Sequence, residues 1–513
     1  MNKRLLVFLF LVPALGVAQH QFVPTDHQVY PLLQKGETLG LFSSYHLRLL
    51  PLTRTEVLSL LSLMHSKGES LSRQDRALLD QMIGEFTDPA IGEALGPEGE
   101  IHLLRFEEKN TQVFVDARGV QEVRDARGRL GIEDETIAET IAGGSIRARI
   151  GHHVFLGMQA RMNMAFGESD LVQRFDPLQG PIQVAIGKTV FSDQATGYAA
   201  FRLDQFQLTL GRMYISWGSG IDEQLSLSAA NEPMDILRMN FDFKRFRFSY
   251  FHASLQGITD SRYLAGHRID FRITDRIQVG AYETIVYAGR GIQLAYLNPF
   301  LPYHIMEHQL GDLDNNMLGF DASAIVVPGL RLFGEVFIDD LSWNRSLAHY
   351  WGNKLAYHGG LHWAAPFGAK PLELLASYTR VDPWVYTHHD SANVYSHYDA
   401  SVGSKIGPNA DRYQLLLRGR LHRDLVGEIG YRSLRRGRGS IFTARRAGES
   451  EEKRFLEGTI EHVSSVEARV KYQFSRDFFV GADVMILSRT NPALVSGTTA
   501  DEKYIRVYVD LNY

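Results

Sequence analysis

Apolar and polar residues alternate through the last eleven positions of the chain, Lys503 to Tyr513. Ile505, Val507, Val509, Leu511 and Tyr513 form one row; Tyr504, Arg506, Tyr508, Asp510 and Asn512 form the other. A period of two marks a β-strand with one face in an apolar phase and the other in water. About 9–11 residues are what a tilted strand needs to cross a bilayer, and a terminal aromatic strand suits the closing seam of an outer-membrane barrel. The period recurs from Ser145 onward. Ile146, Ala148 and Ile150 alternate with Arg147 and Arg149, and Met158, Ala160, Met162 and Met164 with Gln159, Arg161 and Asn163. Ile269, Phe271 and Ile273 alternate with Arg268, Asp270 and Arg272, and Val466, Ala468, Val470 and Tyr472 with Glu467, Arg469 and Lys471. A soluble sandwich turns its apolar row inward. A membrane barrel turns that row to lipid and lines a wet lumen with charge. Alternation alone fits both.

Connection lengths favour the barrel. Very short turns fall at 241–244, 274–276, 327–329, 422–424 and 475–477, and long connections at about 213–233, 289–315, 339–353, 382–411, 434–462 and 489–501. Short turns at one end and long loops at the other are the outer-membrane arrangement. The predicted fold class is therefore an all-β transmembrane barrel of about eighteen antiparallel strands over residues 144–513, with both ends in the periplasm. One stretch runs against the rule: this count puts the tight turn Gly151–His153 outside and the longer link 166–180 inside.

The chain ahead of the barrel has a different period. Thr53 and Glu56 form a capping box, and Val57, Leu58, Leu60, Leu61 and Met64 follow at helical spacing. Ser72 and Asp75 start a second helix carrying Leu78, Leu79, Met82 and Ile83, with Gly84 as a stop, and residues 29–34 fit a third. These make a small N-terminal periplasmic α-helical bundle over residues 19–90. Residues 91–143 read as a Gly- and charge-rich connector with possible short strands at 101–106 and 112–115.

Lys3 and Arg4 precede an apolar run to Val17, and Gly16-Val17-Ala18 offers a cleavage site, so residues 1–18 read as a secretory signal peptide. The absence of cysteine excludes a disulfide framework, thiolate metal sites, a Cys nucleophile and a lipoprotein anchor. A formal charge of −5 rules out a general nucleic-acid-binding chain. The 46 glycines and 11% aromatic content suit a crowded barrel wall with aromatic girdles.

Candidate chemistry is sparse. His304, Glu307 and His308 match H-x-x-E-H, but the motif lies in a long loop and lacks a third ligand, so neither a metal nor a catalytic role is assigned. Gly311 to Asn316 resembles the start of a calcium loop without its sixth-position glycine or twelfth-position glutamate, and reads as an Asx-rich turn. No cofactor is implied. Four of the five tryptophans, Trp217, Trp343, Trp351 and Trp384, lie in or beside long loops, with Trp363 on a strand. Their rings can stack on pyranose faces, and Asp339, Asp340 and Arg345 can bond hydroxyls or carboxylates; an interfacial girdle wants the same aromatics. These seven loop residues are the candidate glycan contacts. Arg432, Arg435, Arg436, Arg438, Arg445 and Arg446 form a basic run suited to lipopolysaccharide phosphate or an acidic polysaccharide.

Several long strings resemble one family. GRMYISWGSG (211–220) with LSLSAAN (225–231), RIDFRITD (268–275), ETIVYAGRG (283–291), and the stretch from YLNPFLPY through LDNNMLGFDA to LRLFGEVFIDD (296–340) are similar to Wzi-like capsule assembly proteins of Gram-negative outer membranes. Pro24 to Tyr30 and Leu50 to Thr53 resemble that family's entry into its helical region. The similarity covers most of residues 24–365 and thins beyond. It implies an eighteen-stranded barrel with a periplasmic bundle, acting as a non-enzymatic surface lectin that helps hold capsular polysaccharide on the cell. Expected partners are that polysaccharide, outer-membrane lipid and lipopolysaccharide, and the barrel assembly machinery through the C-terminal strand. A porin or transporter for small solutes is the first rival reading, and an outer-membrane hydrolase the second.

Overall fold

The computed structural model describes residues 20–87, 102–130, 134–167, 183–258, 261–446, 448–475 and 478–512; the expected signal peptide (1–18) and Tyr513 lie outside the described residues. Eighteen antiparallel strands close into a barrel. They are β1 (Thr111–Arg127), β2 (Glu135–Ile150), β3 (Val154–Phe166), β4 (Thr189–Leu203), β5 (Phe206–Met213), β6 (Met234–Asp242), β7 (Phe246–Leu255), β8 (Arg262–Arg272) and β9 (Ile277–Ala288). Then come β10 (Asn315–Val327), β11 (Leu330–Asp340), β12 (Lys354–Ala364), β13 (Leu372–Val381), β14 (Ala410–His422), β15 (Leu425–Arg436), β16 (Glu461–Ser475), β17 (Phe478–Thr490) and β18 (Thr499–Asn512). Each pairs with the next, and β18 returns to β1 with Lys503 opposite Arg127 and Asn512 opposite Arg118. Short segments Leu104–Glu108 and Gln183–Ile186 add to the hairpins of β1 and β4.

The two rows of β18 face as their pattern predicts. Val507 is 50% exposed on the outer wall with Ile505, Val509 and Leu511, while Asp510 is buried against Arg118 of β1. The barrel starts earlier than position 144, because β1 and most of β2 lie within residues 91–143. The outward row of β1 (Val113, Val115, Ala117, Gly119, Gln121, Val123) is only weakly apolar, which hid its period. Its inward charges are matched across the seam: Arg124 pairs with Glu122 and with Glu139 of β2, and Glu122 with Arg506 of β18. Counting from Thr111 also corrects the turn Gly151–His153, which joins β2 to β3 at the short-turn end. The strand ends Phe166 and Thr189 accordingly fall at the long-loop end, and most of the link 166–180 lies outside the described residues.

The helical segment closes the short-turn end. Helix α1 (Val29–Thr38) outruns its expected extent, α2 (Arg54–Ser66) starts at the Thr53–Glu56 capping box, and α3 (Arg73–Phe86) continues two residues past Gly84. Leu33, Leu61, Leu78 and Met82 are buried in their shared core, and Lys35 and Asp75 form an enclosed ion pair of 2.8 Å. The bundle is bonded directly to the barrel. The Gly329 N–H donates to the Thr38 carbonyl (2.8 Å), Arg331 pairs with Glu37 (2.8 Å), and Arg247 of β7 reaches Glu56 of α2. The chain after α1 enters the lumen. There the fully buried Arg48 pairs with Asp270 (3.1 Å) and Asp321, and Leu49 and Leu50 form a two-residue ladder with Trp217 and Ser216.

Two long loops fold inward to meet it. Trp217, Leu225 and Leu227 from one, and Val385, Tyr386, Tyr395 and Val402 from the other, are buried against Phe251, Tyr282 and Phe337 of the wall. The Tyr386 hydroxyl donates to the Leu225 carbonyl (2.7 Å) and the Tyr395 hydroxyl to the Ser226 carbonyl (2.8 Å). Over β6–β13 the lumen thus holds a packed apolar core beside the buried Arg48, Asp270 and Asp321 cluster, of the kind that orders side chains as a soluble protein interior does. Over β14–β18 and β1–β2 it is lined instead by arginine–carboxylate pairs.

Candidate functional site

The outer rim gathers three loops into one surface. The loop after β11 (341–353) is joined to the arginine-rich loop after β15 (437–460) by a β-bridge between Tyr350 and Glu452. The Trp351 N–H donates to the Glu451 carbonyl (3.0 Å) and the Lys453 N–H to the His349 carbonyl (2.6 Å). The buried Lys453 ammonium donates to the Leu347 carbonyl (3.0 Å) and to Asp382 (2.7 Å), which brings in the loop after β13 (382–409). Asn353, fully enclosed, accepts from the Ser342 N–H (2.6 Å) and donates to the Ser346 carbonyl (3.0 Å). Buried polar groups satisfied in this way fix loops that have little apolar packing of their own.

On this frame Trp351 and Trp384 meet edge to face with ring centroids 6.5 Å apart, and the Arg445 guanidinium lies 4.4 Å from the Trp351 centroid. Arg345 covers Tyr350 at 5.2 Å. Trp343 is 90% exposed at the same rim. Aromatic faces beside guanidinium groups are what an uncharged or acidic sugar chain needs for stacking and charge-assisted hydrogen bonds. Burial, followed by the neighbouring His389, holds His388 below the usual histidine pKa and favours its neutral form.

The expected contacts divide. Trp343, Trp351, Trp384 and Arg345 share the rim. Trp217 does not: it is 2% exposed in the lumen core, edge to face with Phe251 at 4.9 Å. Asp339 is buried and accepts the Tyr386 N–H (2.5 Å), so it holds a loop rather than presenting a carboxylate. Asp340 is engaged by Lys354 at 2.5 Å. The basic run also divides. Arg432, Arg435 and Arg436 lie on β15 and pair with Glu467, Asp411 and Glu461, leaving Arg438, Arg445 and Arg446 to the loop.

Below the rim, the charged side of the lumen holds a cleft of about 400 Å³ lined by Gln414, Arg418, Glu428, Arg432, Glu467 and Arg469. Arg418 donates to Glu428 (2.5 Å) and Arg469 to Glu467 (3.0 Å). Nearby, Arg412 pairs with Glu223 (2.7 Å), and the Ser377 hydroxyl donates to Asp222 (2.6 Å), tying an inward loop to the wall. Burial raises the pKa of Glu223; for Asp222 burial acts the same way, but His358 and Ser377 outweigh it and the net shift is downward.

The metal motif has a different form from the one its sequence suggests. His304 to His308 lie on a short helix, α4 (Tyr303–Leu310), with both imidazoles exposed and Glu307 buried beneath. Among the described residues, the group able to approach one ion is His46, Glu56 and Asp242. The Arg247 guanidinium is bonded to both carboxylates there and already occupies the place of a cation.

A closed barrel with an apolar outer wall, a helical plug and a rim of ordered aromatic loops is an integral outer-membrane protein. A family model described as capsule assembly protein Wzi matches residues 131–503, and the chain belongs to that family. Among solved structures, the Wzi barrel of Escherichia coli aligns over 96% of this chain and 99% of its own, with a TM-score of 0.62 and 13% identity. That protein is described as a carbohydrate-binding β-barrel involved in group 1 capsule assembly. OprD of Pseudomonas aeruginosa and OccAB1 of Acinetobacter baumannii each align over 78% of this chain and 93% and 96% of their own, with TM-scores of 0.45 and identities of 10% and 9%. No curated protein matches the chain.

Proposed function

We propose that this protein binds surface polysaccharide at its outer rim and helps assemble or anchor it on the cell, without catalysis. Family membership supports the role, and the observation that carries the placement is the joined surface of Trp351, Trp384 and Arg445. Each sugar contact is weak, and an extended polymer gains avidity by engaging several at once. Lipopolysaccharide phosphates suit Arg438 and Arg446 at the same rim, and the assembly machinery would read β18 at the seam. Capsule retention by a strain lacking the gene tests the role: loss of cell-bound polysaccharide with continued release into the medium supports it, and unchanged retention removes it. The porin reading is tested by conductance in planar bilayers. A lumen entered by the segment Arg48–Leu50, with Arg48 and Leu49 buried, predicts no large steady channel, and a steady open one would favour solute transport.

A further inference from the structure

The loop joining β9 to β10, residues 289–314, neither folds into the lumen nor joins the rim. Strand register shows where it goes. Arg262, Leu264, Arg268 and Asp270 of β8 face inward, so Tyr263, Ala265 and His267 face outward; on β9, Tyr282 and Val286 face inward and Glu283, Ile285 and Tyr287 outward. This outward patch is polar where the rest of the wall is apolar, yet Ala265, Ile285 and Tyr287 are wholly buried. Tyr296 and Tyr303 of the loop cover it, forming a cluster separate from the lumen core. The Glu283 carboxylate accepts the N–H groups of Tyr303 (2.8 Å) and His304 (2.6 Å) at the start of α4 and pairs with His267 (3.1 Å). The Tyr250 hydroxyl donates to the Tyr296 carbonyl (3.1 Å), and Phe300 stacks on Phe248, only two residues above the short-turn end of β7.

The loop therefore runs down the outside of the wall and returns. Glu283 sits five residues below the outer end of β9 at Ala288, roughly 13 Å down a tilted strand. The adjoining outward positions on β10, Leu318 and Phe320, are exposed apolar side chains of the lipid belt. An outward histidine and glutamate at that level would be costly against lipid; the loop's peptide N–H groups bond Glu283, which in turn pairs with His267. The loop's own outer surface is mainly apolar, with Ile292, Leu294 (80% exposed), Phe300 (71%), Ile305, Leu310 and Leu313, and Asn298 and Gln309 exposed among them. The exposed polar side chains His304 and His308 on α4, and Asp312 two residues past its end, step at four-residue intervals from the level of Glu283 toward β10.

We propose that residues 289–314 form a strap lying within the bilayer against the barrel's lipid face, descending from the outer end to the level of Phe248, with acyl chains as the partner of its apolar surface. Polar inner contacts and an apolar outer surface invert the usual arrangement of an exposed loop and match that of an interfacial segment. The chain has no cysteine, so single labels report cleanly. Bimane would be attached to Phe300→Cys and Ile305→Cys, with Val507→Cys as the lipid-facing control and Trp343→Cys as the exposed-loop control. The full-length protein would be reconstituted in phosphatidylcholine vesicles containing lipid bearing a doxyl group on the acyl chain. The strap labels should be quenched by doxyl lipid as strongly as Val507→Cys and be protected from aqueous iodide. Iodide quenching equal to that of Trp343→Cys, with little doxyl quenching, overturns the proposal. Protection from both reagents together with crosslinking between copies also overturns it, in favour of a second copy as the occupant. Should Phe300→Cys lose heat-modifiable migration, Leu294→Cys carries the same test, because Leu294 is exposed without supporting the fold.

Discussion

The Arg445 guanidinium lies over the Trp351 indole at 4.4 Å, so the tryptophan loop after β11 and the arginine-rich loop after β15 present one surface. Removing Arg445 as Ala takes away a cation–π contact of about 0.5–1 kcal/mol as well as a charge facing the ligand. Arg445→Ala and Trp351→Ala should therefore weaken polysaccharide binding non-additively. A double-mutant cycle read by isothermal titration checks this; strict additivity would mean that the two loops act as independent sites.

Arg48 is the deepest polar anchor of the plug, fully buried between Asp270 and Asp321. Arg48→Met should cost about 3–5 kcal/mol, because two fully buried carboxylates then share fewer cations. The expected readout is a lower temperature of the heat-modifiable shift, with the strands still formed. An unchanged transition would show that the plug is held by its apolar contacts alone.

The outer row of β18 is legible in the sequence, and so is its consequence. Val507→Asp places a charge on the lipid face, where it costs up to about 2–4 kcal/mol at the midplane, and should block membrane assembly. Asn512→Asp, on the inner row at the strand end, should assemble normally. Asp510 is not a neutral comparison, because Arg118 bonds to both of its oxygens (3.1 and 2.9 Å). Equal loss of assembled protein from Val507→Asp and Asn512→Asp would contradict the facing of the two rows.

What the sequence revealed and what it hid have the same origin. Alternation is a local signal, so β18 is readable from a few residues, as are the capping box at Thr53 and the N-cap at Ser72. It fades where the outward row is mixed, as in β1, and with β1 the start of the barrel was misplaced. Loops carry no period at all. Nothing near Trp217 announces that its loop turns into the lumen and packs on Phe251, and so a tryptophan suited to sugar became part of the core. The strap left a trace that could have been read. Tyr250, His267 and Glu283 occupy outward positions on three adjacent strands, where lipid contact requires apolar side chains, so a cover was needed. Finding it required the register as well as the residue types.

The junction between α2 and β7 should respond to acid. Burial, then Arg247, lowers His46 to about 4. Burial raises the Glu56 carboxylate, but Arg247 and His46 outweigh it and carry it well below the ordinary range. Both groups have depressed folded-state values, so their stability is present above the unfolded values and is lost as pH falls through the folded ones. For His46 the window runs from 6.5 down to about 4. Hydrogen exchange corrected for intrinsic rates should show residues 43–56 opening more readily near pH 4.5 than at pH 7. Equal protection at both would mean that neither group reports on docking of the bundle.

The rim placement is tested most directly by equilibrium binding of polysaccharide purified from the producing strain's own surface. The wild-type protein should be compared with Trp351→Ala/Trp384→Ala, both folded as judged by heat-modifiable migration. The account predicts saturable binding by the wild type and its near-complete loss in the double variant, with Trp343→Ala intermediate. Unchanged affinity in a folded double variant would contradict it and move the site to the charged cleft of Arg418, Arg432 and Arg469.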